Sequence, residues 1–209
     1  MVTERGLARD PELGKKIDSA IIPGLQGGPH NATTAAIAIA ADEAAQPGFK
    51  KYAVQIRKNA NALAKSLMDE GIPLVGGGTE THLMIMDLSG FGFGLGGQVS
   101  YAMDVAGIYA NRNTVPTELS SPFYPSGVRL GTPLVTSRGM KEKEMIQIGK
   151  WIAQVVKHVQ HDELPQAKKS RTAFLQKFRA KADQDKFLLD IAEEVKTMCV
   201  KFPLFAGTN

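Results

Sequence analysis

The chain of 209 residues holds a single cysteine, Cys199. One thiol allows neither a disulfide framework nor a CxxC metal clip, and it points to a reducing, cytoplasmic setting. A chain of this size buries roughly 70% of its unfolded surface, so it needs no such staple. Long apolar runs are lacking too. The longest uncharged stretch, Ser19 to Ala41, is broken by Pro23, Gly24, Gly27, Gly28 and Pro29, which excludes a single membrane helix. The opening residues MVTERGLARD carry charges where a secretory signal needs an apolar centre. Charge of one sign is scarce, with 25 Lys+Arg against 21 Asp+Glu. The C-terminal run of Lys168, Lys169, Arg171, Lys177, Arg179 and Lys181 reads as a solvated helix face, because a nucleic-acid surface would show a larger excess and interleaved aromatics. Neither nucleic acid nor a membrane is expected as a partner.

The histidines show no metal-ligand spacing. His158 and His161 stand three apart without a third ligand and read as surface residues, and His82 reads as a hydrogen-bonded structural histidine. No G-x-S-x-G elbow supports a serine hydrolase. What is present is ordinary globular composition, 43% hydrophobic and 22% charged, with strong periodic segments.

Ala32 to Ala41 has no charge on any face and reads as a buried helix. From Phe49 to Glu70, Phe49, Tyr52, Ala53, Ile56, Ala60, Leu63 and Leu67 recur at three- and four-residue steps and predict an amphipathic helix stopped by Gly71. His82 to Leu88 reads as a buried strand, followed by a helix from about Gln98 to Ala106, a strand near Gly107 to Asn111 and another over Gly127 to Leu130. After Thr136-Ser137-Arg138-Gly139 a long helix is expected from a Ser/Thr cap, marked by Met145, Ile148, Ile152, Val155, Val156 and Val159. Phe187, Leu188, Ile191, Val195 and Met198 mark a last helix that ends before Pro203. The pattern is a mixed α/β domain over residues 46–209, preceded by residues 1–45 that belong structurally elsewhere.

Three features could carry chemistry. Gly92-Phe93-Gly94-Leu95-Gly96-Gly97 satisfies G-x-G-x-x-G between a predicted strand and a predicted helix, the context of a dinucleotide site. The following strand, however, ends in Asn111-Arg112-Asn113 with no acid for a ribose, and the phenylalanines are bulky for a phosphate loop. A strand-to-helix connection is the plainer reading. Gly27-Gly28-Pro29, ahead of an uncharged helix, offers backbone N–H groups and a helix dipole to an anion, although a tight turn is the plainer reading of Gly-Gly-Pro. Arg129, centred on a short apolar strand between glycines, is expected to be shielded from solvent. Its planar fork suits bidentate capture of a carboxylate, the alternative being a buried ion pair with an internal acid.

The string Lys16-Ile17-Asp18-Ser19-Ala20-Ile21-Ile22-Pro23-Gly24-Leu25-Gln26-Gly27-Gly28-Pro29-His30-Asn31, the segment Gly77-Gly78-Thr79-Glu80-Thr81-His82-Leu83 and the segment Ser126-Gly127-Val128-Arg129-Leu130-Gly131-Thr132-Pro133 closely resemble serine hydroxymethyltransferase. The resemblance implies an α/β fold of the pyridoxal-phosphate-dependent aspartate-aminotransferase type, here its C-terminal part. Residues 1–45 would close the large cofactor-binding domain and its connecting helix, and residues 46–209 would form the small domain. It also implies pyridoxal 5'-phosphate as cofactor, tetrahydrofolate as one-carbon acceptor, interconversion of serine and glycine, and a homodimer or tetramer.

By the same resemblance Arg129 would hold the α-carboxylate of the amino acid, Gly27 and Gly28 would reach the cofactor phosphate, and Asn113, Ser121, Pro122 and Phe123 would line the folate pocket. Where many relatives have histidine, this chain has Ala32. The Thr-His-Lys-type motif that carries the family's cofactor lysine is absent, and none of Lys15, Lys16, Lys50 or Lys150 has a comparable setting. No catalytic residue is therefore assigned. The chain is expected to be the C-terminal portion of the family's chain and inactive alone, the alternative being a non-catalytic half-subunit that completes a site with a separate N-terminal half. Apolar surface near Ala35 to Ala41 is expected to be exposed in that half's absence.

Overall fold

The computed structural model describes residues 3–204. The chain divides into two units, residues 1–49 and 50–209. The first comprises α1 (Glu4–Arg9), α2 (Leu13–Ser19), a wide turn over Ala20–Leu25 and α3 (Asn31–Ala45). None of the described residues 3–49 is buried. The charge-free segment 32–41 does form a helix, but it is exposed on every side, with Ile37 64% and Ile39 61% accessible. Lack of charge makes a helix fit for burial; only a neighbour can bury it, and this unit supplies none. The expected apolar surface over Ala35–Ala41 is therefore exposed.

The second unit is an α/β arrangement around a three-stranded antiparallel sheet. It holds α4 (Pro47–Asp69) but for its first turn, β1 (Leu83–Asp87), α5 (Gly96–Val105), β2 (Asn111–Asn113), β3 (Gly127–Gly131), α6 (Pro133–Ser137), α7 (Glu142–Val159), α8 (Arg171–Ala182) and α9 (Lys186–Val200). The strand order is β1-β3-β2, which gives no parallel crossover among the described residues. Alternation places Met84, Met86, Val128 and Leu130 on the inner face. There they join Leu63, Leu67, Val99, Met103, Ile152, Val156 and Leu188 in one core.

Helix α4 stops as its sequence predicts. Gly71 takes φ +85°, its N–H donates to the Met68 carbonyl at 2.9 Å, and the Ile72 N–H reaches the Leu67 carbonyl at 2.9 Å. This double closure seals the helix end, and Leu67 and Ile72 are both fully buried. Helix α5 ends the same way at Gly107, φ +75°, with the Ile108 N–H on the Met103 carbonyl at 2.8 Å. That closure consumes the residues expected to begin a strand, so β2 starts at Asn111 instead of near Gly107. Helix α7 also departs from expectation. A short helix, α6, occupies the Ser/Thr-rich stretch, and the start of α7 is secured by the Glu144 carboxylate accepting from the Lys141 N–H at 2.9 Å. A side chain at Gly149 would strike Ser66, so α4 and α7 approach closely, and the Ser66 hydroxyl donates to the Ile146 carbonyl at 3.0 Å. His158 pairs with Asp185 at 2.9 Å, and Asp185 caps α9 through the N–H groups of Phe187 and Leu188. The expected strand over His82–Leu88 is β1, but the His82 side chain is exposed, and the residue contributes its carbonyl, which accepts from the Thr132 N–H at 3.2 Å.

Replacing Leu67 by Ala is expected to lower the unfolding free energy by roughly 2–5 kcal/mol in urea titrations, since it opens a cavity in the core. Ile37→Ala is expected to change it by less than about 0.5 kcal/mol, because that residue is mostly exposed.

Candidate functional site

In β3 the inward residues Val128 and Leu130 leave Arg129 on the outer face of the sheet, and it is exposed. The expectation of a shielded arginine is thus corrected: its apolar neighbours face the core, on the opposite side of the strand from its own side chain. Among the described residues no acid pairs with it; its Nη2 lies 3.5 Å from the Asn111 Oδ1. Across the sheet Arg129 stands opposite Ile85 and Asn111, and the next row holds Asp87, Gly127 and Asn113. Arg129 and Asn113 are therefore diagonal neighbours on one face, roughly 7–8 Å apart. Two residues either side of Arg129, on that same face, are Gly127 and Gly131. They set no side chain beside the guanidinium, which stays open to an approaching carboxylate. Gly127 has a second reason to be glycine, since a Cβ there would lie 2.8 Å from the Asn113 carbonyl oxygen. Asp87, the acid nearest in register, is engaged by the Ser89 N–H at 3.0 Å and hydroxyl at 2.6 Å.

Ser121, Pro122 and Phe123 lie in the loop of residues 114–126 that joins β2 to β3. Ser121 and Tyr124 form an isolated bridge, and Phe123 is 77% exposed. The loop is organised by a residue that the sequence reading did not single out. The Glu118 carboxylate accepts from the Ser126 N–H and hydroxyl, both at 2.8 Å, and from the Ser120 N–H and hydroxyl at 3.1 and 2.9 Å. The Ser120 hydroxyl also meets the Tyr124 carbonyl. Burial alone would raise the Glu118 pKa, but the Ser126 and Ser120 donors outweigh it and hold the carboxyl below its ordinary value. One acid among three serines was the available signal.

In the first unit Gly27 and Gly28 are exposed, and a Cβ on either would meet nothing within 4 Å. They precede α3, whose N-terminus has no side-chain cap. The backbone donors there are free of local side chains, a setting that suits a phosphate. The Gly92–Gly97 segment is different. A Cβ at Gly96 would collide with the Gly127 carbonyl oxygen and lie 2.6 Å from that of Pro125, and the Gly96 N–H is spent on the Pro125 carbonyl at 3.0 Å. Glycines at 94 and 96 serve close backbone packing, and the antiparallel sheet beside them is not the parallel unit a dinucleotide site uses. Among the described residues no group of three or more His, Cys, Asp or Glu could hold a metal, and no helix is long and apolar enough to cross a membrane.

Residues 1–152 match the family Serine hydroxymethyltransferase. The chain belongs to the serine hydroxymethyltransferase family. The serine hydroxymethyltransferase of Methanospirillum hungatei is 41% identical over 196 residues, 94% of this chain and 42% of that one. That of Acidothermus cellulolyticus is 54% identical over 144 residues, 69% of this chain and 34% of that one. That of Orientia tsutsugamushi is 37% identical over 201 residues, 96% and 46% respectively. The chain thus spans less than half the length of the curated serine hydroxymethyltransferases it matches.

Because the folded pKa of Glu118 is depressed, its contribution to stability is present above the ordinary glutamate range and lost as pH falls through the folded value. Urea midpoints followed from about pH 5 to pH 3 are expected to fall less steeply in Glu118→Gln than in the wild type, and to start lower. Parallel slopes would show that the carboxylate does not hold the loop.

Proposed function

We propose that this chain is the amino-acid- and folate-facing half of a serine hydroxymethyltransferase. The observation that carries the reading is the open guanidinium of Arg129, flanked by glycines and sharing one sheet face with Asn113. Under this reading the whole protein has the aspartate-aminotransferase type of fold, assembles as a homodimer or tetramer in the cytoplasm, and interconverts serine and glycine with tetrahydrofolate.

The residues present fit one end of pyridoxal phosphate. Gly27 and Gly28, with the open N-terminus of α3, would donate N–H groups to its phosphate. When bound, the cofactor supplies the electron sink for cleaving the Cα–Cβ bond of serine. Arg129 would grip the α-carboxylate through its fork and fix which bond faces the reacting centre, a contribution of orientation and charge. Asn113 and the stretch Ser121-Pro122-Phe123 would bind the folate, the amide by hydrogen bonds and the exposed Phe123 ring by contact with a flat heterocycle. A lysine in the family's motif is missing from this sequence, so the chain alone is assigned no turnover. The exposed apolar face of α3 suits packing against the lysine-bearing part of the family's fold.

The test is to purify the chain, add pyridoxal phosphate and treat with borohydride. No permanently fixed visible absorbance and no serine cleavage are expected. A fixed band accompanied by turnover would sink the assignment of inactivity. Co-expression with the N-terminal half of a relative is expected to restore serine cleavage, and Arg129→Gln in that complex to lower kcat/KM for serine by roughly a hundredfold or more. An unchanged value would remove Arg129 from the site.

A further inference from the structure

The Gly92–Gly97 segment and the basic face of α8 are both unused by the functional reading, and they meet at one side chain. Arg171 opens α8 and is only 8% exposed, which corrects the expectation that the whole basic run is solvated. Its Nε and Nη2 donate to the Pro165 and Gln166 carbonyls at 2.9 and 3.0 Å. Among the described residues it has no carboxylate partner. Its guanidinium lies instead over two rings, 5.5 Å from the centroid of Phe93 and 5.0 Å from that of Tyr124. Phe93 belongs to the glycine-rich segment; Tyr124 directly follows Phe123.

These two pieces of chain are already in backbone contact. Gly94 takes φ +61°, and a Cβ on it would lie 3.0 Å from the Tyr124 carbonyl oxygen. Gly96 lies as closely beneath Pro125. The glycine-rich segment is itself held from the far side, by the Leu164 N–H on the Phe93 carbonyl at 3.0 Å and by the Phe93 N–H on the Glu163 carboxylate at 3.2 Å. Residues 163–171 therefore support the floor on which the loop rests, and one cation closes over a ring from floor and loop alike. A guanidinium suits this place because it is planar, stacks on aromatic faces and can satisfy two carbonyls at once; an ammonium cannot do all three.

We propose that Arg171 is a positioning residue for the loop of residues 114–126, locking Tyr124 against the glycine-rich segment and so fixing how Ser121, Pro122 and Phe123 are presented. The proposal rests on the reading that this loop faces the folate. It assigns control of that loop to a residue beyond position 152, where the family match ends.

Hydrogen exchange on the full chain tests it. In Arg171→Met and in Arg171→Lys, the amides of residues 119–121, 123, 124 and 126 are expected to exchange roughly tenfold or more faster, while those of β1 and α7 keep their rates. Tyr124→Leu, which leaves Arg171 and its carbonyl partners in place, is expected to reproduce the effect, and Tyr124→Phe to leave the rates unchanged. Equal acceleration in β1 and α7 would reduce Arg171 to general stability and overturn the proposal. So would unchanged loop exchange in Arg171→Met or Tyr124→Leu, or full rescue by lysine. Tetrahydrofolate titrated into the wild-type chain probes the functional reading separately: absence of saturable binding counts against that reading, while the exchange rates still decide the lock.

Discussion

The register of β3 is the constraint on which the second unit depends. This strand is paired on both sides, and it alternates between a core face of Val128 and Leu130 and an outer face of Gly127, Arg129 and Gly131. A slip by one residue would bring the guanidinium into an apolar core and expose both aliphatic side chains, an exchange that costs several kcal/mol at the charge alone. The same register sets Arg129 beside Asn111 and diagonal to Asn113. Core packing and the geometry of the candidate site are thus one choice. Gly127 enforces it from the backbone, since only a residue without a Cβ fits between Asn113 and Met86.

Around this rigid strand the irregular chain is held by polar groups in place of apolar mass. The loop between β2 and β3 has few buried side chains, so its backbone and hydroxyl donors converge on Glu118. Its far end leans on the glycine-rich segment and on Arg171. An acid and a cation, each satisfied without the other, hold the same loop, Glu118 from within it and Arg171 from α8. Functional loops are commonly carried in this way by a scaffold whose own stability lies elsewhere.

Much of this was legible in the residues, and the misses share a cause. The helix ending at Gly71, the strand of alternating methionines and the apolar stripe of α7 are local patterns, and each appears where its spacing puts it. The exposure of Arg129 was misjudged because a strand of five residues shows its alternation only once its partners are known. Arg171 looked like one more charge in a basic run, and nothing near it in sequence announces Phe93 or Tyr124. The strand expected near Gly107 moved because a second helix closure of the Gly71 kind took those residues. The segment 32–41 has the composition of buried structure, but burial is a relation between surfaces. Composition describes only one of them. Asn113, Ser121, Pro122 and Phe123 were reached through family resemblance, and no pattern in the residues would have found them.

The sheet's central strand is also the last of the three to leave the ribosome. Until Gly127–Gly131 has been made, β1 and β2 have no common partner. Met84 and Met86 must then wait, with the edge of β1 that β3 will take unpaired, through the synthesis of α5, β2 and the loop. Sheet formation in this domain is therefore a late and non-local event, with its slowest contacts joining segments far apart in the chain. The helical contacts of α4 and α5 and the bridge from Leu74 to Met86 are local by comparison, and they precede β3 in the chain.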